Sequence, residues 1–220
     1  MRLMGKENSQ QLRQLIAQQA ARMMAEDGIS DFAYAKKKAG RQIVGMTDND
    51  VLPSNAEIED ELKLYNALFL SEEQPENLYK LRKSALFTMQ LLEKFNPHLT
   101  GAVLDGTAGL RADTHIHLFA DSLKDIEMFL LNQDIPFETN EKSHRVMNDG
   151  KRDKKGDGRK KVPGFLLEMT TGVIKLSVFE VDEIRVATKR LADGSNARRA
   201  NIGEVMVLLQ DCDFTQNTVT

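Results

Sequence analysis

Apolar residues in the first ninety-odd positions recur at intervals of three and four. Leu12, Leu15, Ile16, Ala20 and Met23, with Gln19 among them, trace one stripe. That is the period of an amphipathic helix, and Gly28 marks its stop. Asp31 is placed to cap a second helix through Phe32, Ala35, Ala39 and Ile43, ending near Gly45. Pro53, Ser54 and Asn55 precede a third, with Ile58, Leu62, Tyr65, Leu68 and Phe69 on one side. A fourth is expected from about Glu76 to Lys94, with Leu78, Leu81, Ala85, Met89 and Leu92 inward. Asn96-Pro97 closes it, because proline cannot continue a helix and disfavours helix in the residue before it.

Past Pro97 the period shortens to two. The segments 99–105 and 113–119 read as strands, and Ser122 caps an amphipathic helix that ends before Ile135-Pro136. Phe137 opens a further strand. Residues 165–170 and 173–179 alternate on either side of Thr171-Gly172, a hairpin signal. Asn201–Gln210 is expected to form a last helix. The fold expectation is therefore α+β, with an N-terminal helical bundle over 1–96, a small mixed β-sheet domain over 97–212 and a flexible tail over 213–220.

The stretch from Gly101 to Phe119 carries the chemistry. Side chains alternate across a strand, so Asp113, His115, His117 and Phe119 share one face and Thr114, Ile116, Leu118 and Ala120 the other. A carboxylate and two imidazoles are costly to gather unless they are hydrogen-bonded, hydrated or bound to metal. The plainest expectation for His115 and His117 is partly exposed strand residues bonded to neighbours or water.

This stretch resembles the signature of the polymerase-β-like nucleotidyltransferase superfamily. Gly101-Ala102 falls at its Gly-Ser, Gly106, Thr107 and Ala108 fall in its small-residue turn, and Ala112 to Ile116 falls at its Ser-Asp-x-Asp-x strand. The resemblance spans roughly 97–185 and implies a mixed sheet of nucleotidyltransferase type. It also implies two divalent ions, Mg²⁺ or Mn²⁺, held by motif carboxylates against nucleotide phosphates. Such ions demand oxygen ligands. Asp113 is present, but His115 stands at the second carboxylate and Lys175 or Ser177 where the third is expected, with Glu168 the nearest substitute. The implied protein is a divergent nucleotidyltransferase with a degenerate metal site, binding a nucleotide or other phosphorylated ligand. If it is active, Asp113 would be metal ligand and His115 a second ligand or general base. Gly101, Gly106, Thr107, Arg111, Lys154 and Lys155 would serve the phosphate. The chain also looks like a group of bacterial proteins, some labelled UDP-N-acetylmuramate–alanine ligase, but it carries no Gly-x-x-x-x-Gly-Lys-Ser/Thr phosphate loop.

Asp113-Thr-His115-Ile-His117 is also similar to the first metal motif of amidohydrolase barrels. Such a barrel needs about 250 residues, and only some hundred follow His117. A smaller mononuclear hydrolase site of Asp113, His115, His117 and Glu168, holding Zn²⁺ with water as open ligand, is chemically sensible. A third reading is a non-catalytic module that binds protein or RNA. Residues 151–161 hold seven bases against two acids, with no aromatic interleaved. They read as a mobile loop or a phosphate-binding flap whose RNA contacts would be salt-sensitive. Lys36, Lys37, Lys38 and Arg41 read as a solvated helix face.

Composition narrows these readings only slightly. The chain has 220 residues, a formal net charge of −3 and one cysteine, Cys212. That excludes an internal disulfide framework and a cysteine-rich zinc module. No apolar run approaches the roughly 20 residues of a membrane span, and the N-terminus lacks a signal-peptide hydrophobic region. The expected setting is the cytoplasm, with no membrane partner and no organic cofactor.

Overall fold

A computed structural model describes residues 2–45, 51–145, 159–185 and 198–216. Its elements are, in order, α1 (Arg2–Asp27), α2 (Phe32–Val44), α3 (Asn55–Phe69), α4 (Glu73–Leu91), β1 (His98–Thr100), α5 (Ala102–Asp105), β2 (Thr114–Phe119), α6 (Leu123–Asn132), β3 (Glu138–Arg145), β4 (Arg159–Met169), β5 (Gly172–Phe179), β6 (Arg199–Ala200) and α7 (Ile202–Gln216). The protein is thus mixed α+β, and among the described residues no helix is long and apolar enough to cross a membrane. The chain divides into two compact units. One is Met1–Leu78 with Gly106–Ala112 and Leu191–Asp193; the other is Tyr79–Asp105, Asp113–Arg190 and Gly194–Thr220.

In the first unit α1, α2 and α3 enclose a core of Ile16, Ala17, Ala20, Ala21, Met24, Ala25, Ala35, Ala39, Ile58 and Leu62. So many alanines let helix backbones approach closely. The helix ends follow local chemistry. Asp31 accepts from the Tyr34 N–H, and α2 stops at left-handed Gly45, whose N–H donates to the Arg41 carbonyl. Ser54 and Glu57 form a reciprocal capping box at the start of α3. The returning segment is tied down by α4, since the Gln74 amide donates to the Gly106 and Ala108 carbonyls, each at 3.0 Å. The Asn77 amide donates to the Gly109 carbonyl. The basic run on α2 is not uniformly solvated: Lys36 donates to the Pro53 carbonyl at 2.8 Å, and burial lowers its pKa.

The second unit holds a six-stranded mixed sheet in the order β3-β4-β5-β2-β1-β6. Among the described strands only β2 and β5 pair in parallel. Leu99, Ile116, Leu118, Ile174, Leu176 and Leu167 are buried on one face, and Ile126 and Leu130 of α6 are buried as well. At Gly164 an added Cβ would run into the Leu176 carbonyl, so that position admits no side chain.

Several elements differ from the sequence reading. The expected strand 99–105 is β1 followed by a single helical turn. Gly101 sits at φ +75°, which ends the strand, and the Asp105 N–H donates to the Gly101 carbonyl at 3.0 Å. Buried Arg82 then donates to the carbonyls of Val103 and Leu104, which stabilises that turn from α4. The hairpin turns one residue earlier than expected: Met169 pairs with Gly172, leaving Thr170 and Thr171 at the bend. The last helix continues past Gln210 to Gln216. Arg159, Lys160 and Lys161 of the expected basic loop extend β4, while 146–158 lie outside the described residues.

Candidate functional site

Directly paired residues on adjacent strands share a face, so the register defines three rows across the second sheet face. Arg199, Thr100, His115, Lys175, Leu166 and Glu138 form the first, and His98, His117, Ser177, Gly164 and Asn140 the second. Phe119 and Phe179 pair in the third, where Val162 and Ile184 close over them.

The third row is closed. Phe119 and Phe179 stack at 5.8 Å, and Phe179 lies 4.7 Å from the His117 ring. Arg199 of β6 sits 5.0 Å above Phe119 and donates to the Ile184 carbonyl. Burial lowers its pKa, with Glu183 opposing. His117 is consequently buried, at 7 % exposure. The partly exposed setting expected for it holds only for His115. His98 stands edge-on to Phe119, its Nδ1 at 2.9 Å from the Asn96 carbonyl oxygen.

The first row is open and charged. The Lys175 ammonium lies 2.5 Å from the Asp113 carboxylate, with both side chains about a quarter to a third exposed. Parallel pairing of β2 and β5 sets His115 directly beside Lys175. Gly101 approaches His115 from β1: a Cβ there would stand 3.7 Å from the His115 ring. Asp113, His115, Lys175 and Gly101 therefore gather at one end of the face, with Thr100 in the same row.

The remaining expected residues fall elsewhere. Glu168 is exposed on β4, separated from β2 by the whole of β5. Gly106, Thr107 and Arg111 belong to the first unit. There Thr107 is buried and Arg111 exposed. Lys154 and Lys155 lie outside the described residues. Among the described residues no three His, Cys, Asp or Glu side chains are grouped to hold a metal ion. Nor does this end of the face suit a divalent pair: the Lys175 ammonium lies against the Asp113 carboxylate and already neutralises it. The donors do not fit Mg²⁺ or Mn²⁺.

Sequence reasoning missed the Asp113–Lys175 pair and the places of His98, Thr100 and Arg199 on this face. One signal was available for the first. Thr-His-Ile-His-Leu-Phe of β2 and Ile-Lys-Leu-Ser-Val-Phe of β5 share one alternation ending on phenylalanine, and they pair residue for residue. Comparison with protein-family models, curated proteins and solved structures finds no match to this chain.

Proposed function

We propose that the protein is a divergent nucleotidyltransferase-like protein that binds a nucleotide or other phosphorylated ligand at the open row of the sheet. Only residues of the second unit enter this reading. The observation that carries it is the Lys175 ammonium beside His115, about a third exposed and paired with the Asp113 carboxylate. Strand β1, left-handed Gly101, the turn of α5 and the Asp113 strand follow one another as the resemblance implies, which supports a nucleotidyltransferase-type core.

The charge arrangement points to binding rather than transfer. Nucleotidyl transfer relies on metal-bound carboxylates to offset phosphate charge, and here a lysine supplies the positive charge itself. A phosphoryl group would take Asp113's place on Lys175, with His115 donating a second hydrogen bond. Charge-assisted bonds of this kind are the strong ones, but Asp113 competes for the same ammonium.

The test is calorimetric titration of the chain with ATP, GTP, CTP, UTP and inorganic pyrophosphate, with and without Mg²⁺. Binding is expected without metal, weakened by more than about tenfold in Lys175→Met and tightened a few-fold in Asp113→Asn. Metal-dependent binding abolished by Asp113→Asn would instead make Asp113 a metal ligand. Failure of every ligand to bind would sink the proposal.

A further inference from the structure

The first unit exposes apolar side chains along a furrow between α1 and α3. Leu15, Ile43, Leu64, Tyr65, Leu68 and Phe69 line it, around a cavity of about 360 Å³. Leu15, Leu64, Leu68 and Phe69 are each more than half exposed, a contiguous apolar surface of the kind that marks interaction sites. Its wall is already ordered. The Tyr65 ring packs on Phe69 at 4.8 Å, and the Tyr65 hydroxyl donates to Glu26 at 2.5 Å, which Arg22 also holds.

The charged residues of the furrow's lining are Arg22, paired with Glu26, and Glu61, and the acids concentrate on its α3 side. Glu61 and Leu64 also border a second hollow, of about 400 Å³, lined with Glu57 and Asp60. Glu57 is balanced by Arg13 at 3.5 Å. Asp60 and Glu61 make no ion pair among the described residues. An apolar furrow with an uncompensated anionic shoulder is complementary to an amphipathic helix carrying lysine or arginine along one side. It is poorly suited to an anionic lipid surface, whose headgroups the shoulder would repel.

We propose that this furrow docks a basic amphipathic helix of a partner protein, with apolar residues at helical spacing seated along Leu64 and Leu68 and cations against Asp60 and Glu61. The surface is independent of the ligand proposed for the sheet.

The probes are two synthetic helices of about four turns with leucine at i, i+4, i+7 and i+11, one flanked by lysine and the other by glutamate. Binding to the full chain is read by fluorescence anisotropy, and self-association by sedimentation equilibrium. The lysine-flanked helix is expected to bind with Kd below about 100 μM and the glutamate-flanked one at least about tenfold more weakly. Leu64→Glu with Leu68→Glu should abolish binding. Asp60→Lys with Glu61→Lys should invert the preference while circular dichroism stays unchanged. Equal affinity for the two helices, binding indifferent to Leu64→Glu and Leu68→Glu, or no binding by either at about 0.5 mM overturns the proposal. So does self-association that these leucine substitutions abolish, which would assign the furrow to a second copy of the chain.

Discussion

The cores of the two units are built from different residues. The helical unit packs Ala17, Ala20, Ala21, Ala25, Ala35 and Ala39 between its helices and leaves Leu64, Leu68 and Phe69 in water; the sheet unit fills its core with Ile116, Leu118, Ile126, Leu130 and Phe165 and also buries Thr100, Thr114, His117 and Ser177. An exposed leucine costs the folded chain little and becomes useful when a partner covers it. A buried imidazole or hydroxyl must be matched by neighbours, because desolvation without compensation is expensive. The exposed leucines of α3 thus offer a surface for a partner to cover, whereas the buried polar groups of the sheet must be matched from within it.

The contrast is most exposed to test by paired truncations of leucine. Leu118, fully buried in β2, should cost about 3 kcal/mol when replaced by alanine, through lost transfer energy and the cavity left behind. Leu68→Ala, at 64 % exposure, should change stability by less than about 0.5 kcal/mol. Denaturant unfolding of both variants compares them directly, and similar losses would end the distinction.

A smaller effect is expected from Arg82→Met. It removes the donors to the Val103 and Leu104 carbonyls while keeping much of the side-chain volume. Loss of charged hydrogen bonds to buried acceptors should cost about 2 kcal/mol, and faster amide hydrogen exchange in α5 would locate the damage. A wild-type midpoint would mean that water replaces the guanidinium at no cost.

The smallest effect concerns the α3 cap. Burial works to raise the Glu57 carboxyl, but the Ser54 hydrogen bonds, with Arg13 and Lys36, outweigh it and hold the pKa below the usual 4.5. A carboxylate whose folded pKa is depressed adds stability above its unfolded value and loses it as pH falls through the folded one. Glu57→Gln should therefore cost less than about 1 kcal/mol at neutral pH. It should also flatten the loss of stability below pH 4.5. An unchanged acid limb would remove Glu57 from that role.

Local interactions were legible in the chain itself. The first three helices, the cap at Asp31, the Gly45 stop and the Ser122 start all follow from short-range hydrogen bonding and periodicity, which any segment carries with it. The alternation of Asp113, His115 and His117 was equally plain. The short α5 was not, because Ala102–Asp105 has no helical period of its own and depends on Arg82, twenty residues upstream. Nor was the end of the expected basic loop, whose last three residues become strand only by pairing with β3.

What tertiary structure alone decided is which residues stand beside that strand. Parallel pairing of β2 with β5 joins positions some sixty apart and gives Asp113 a lysine partner. Pairing of β1 with β6 brings Arg199 over Phe119. No local rule fixes such pairings. They follow from packing all the strands against one another, and that balance is struck only when the whole sheet is assembled.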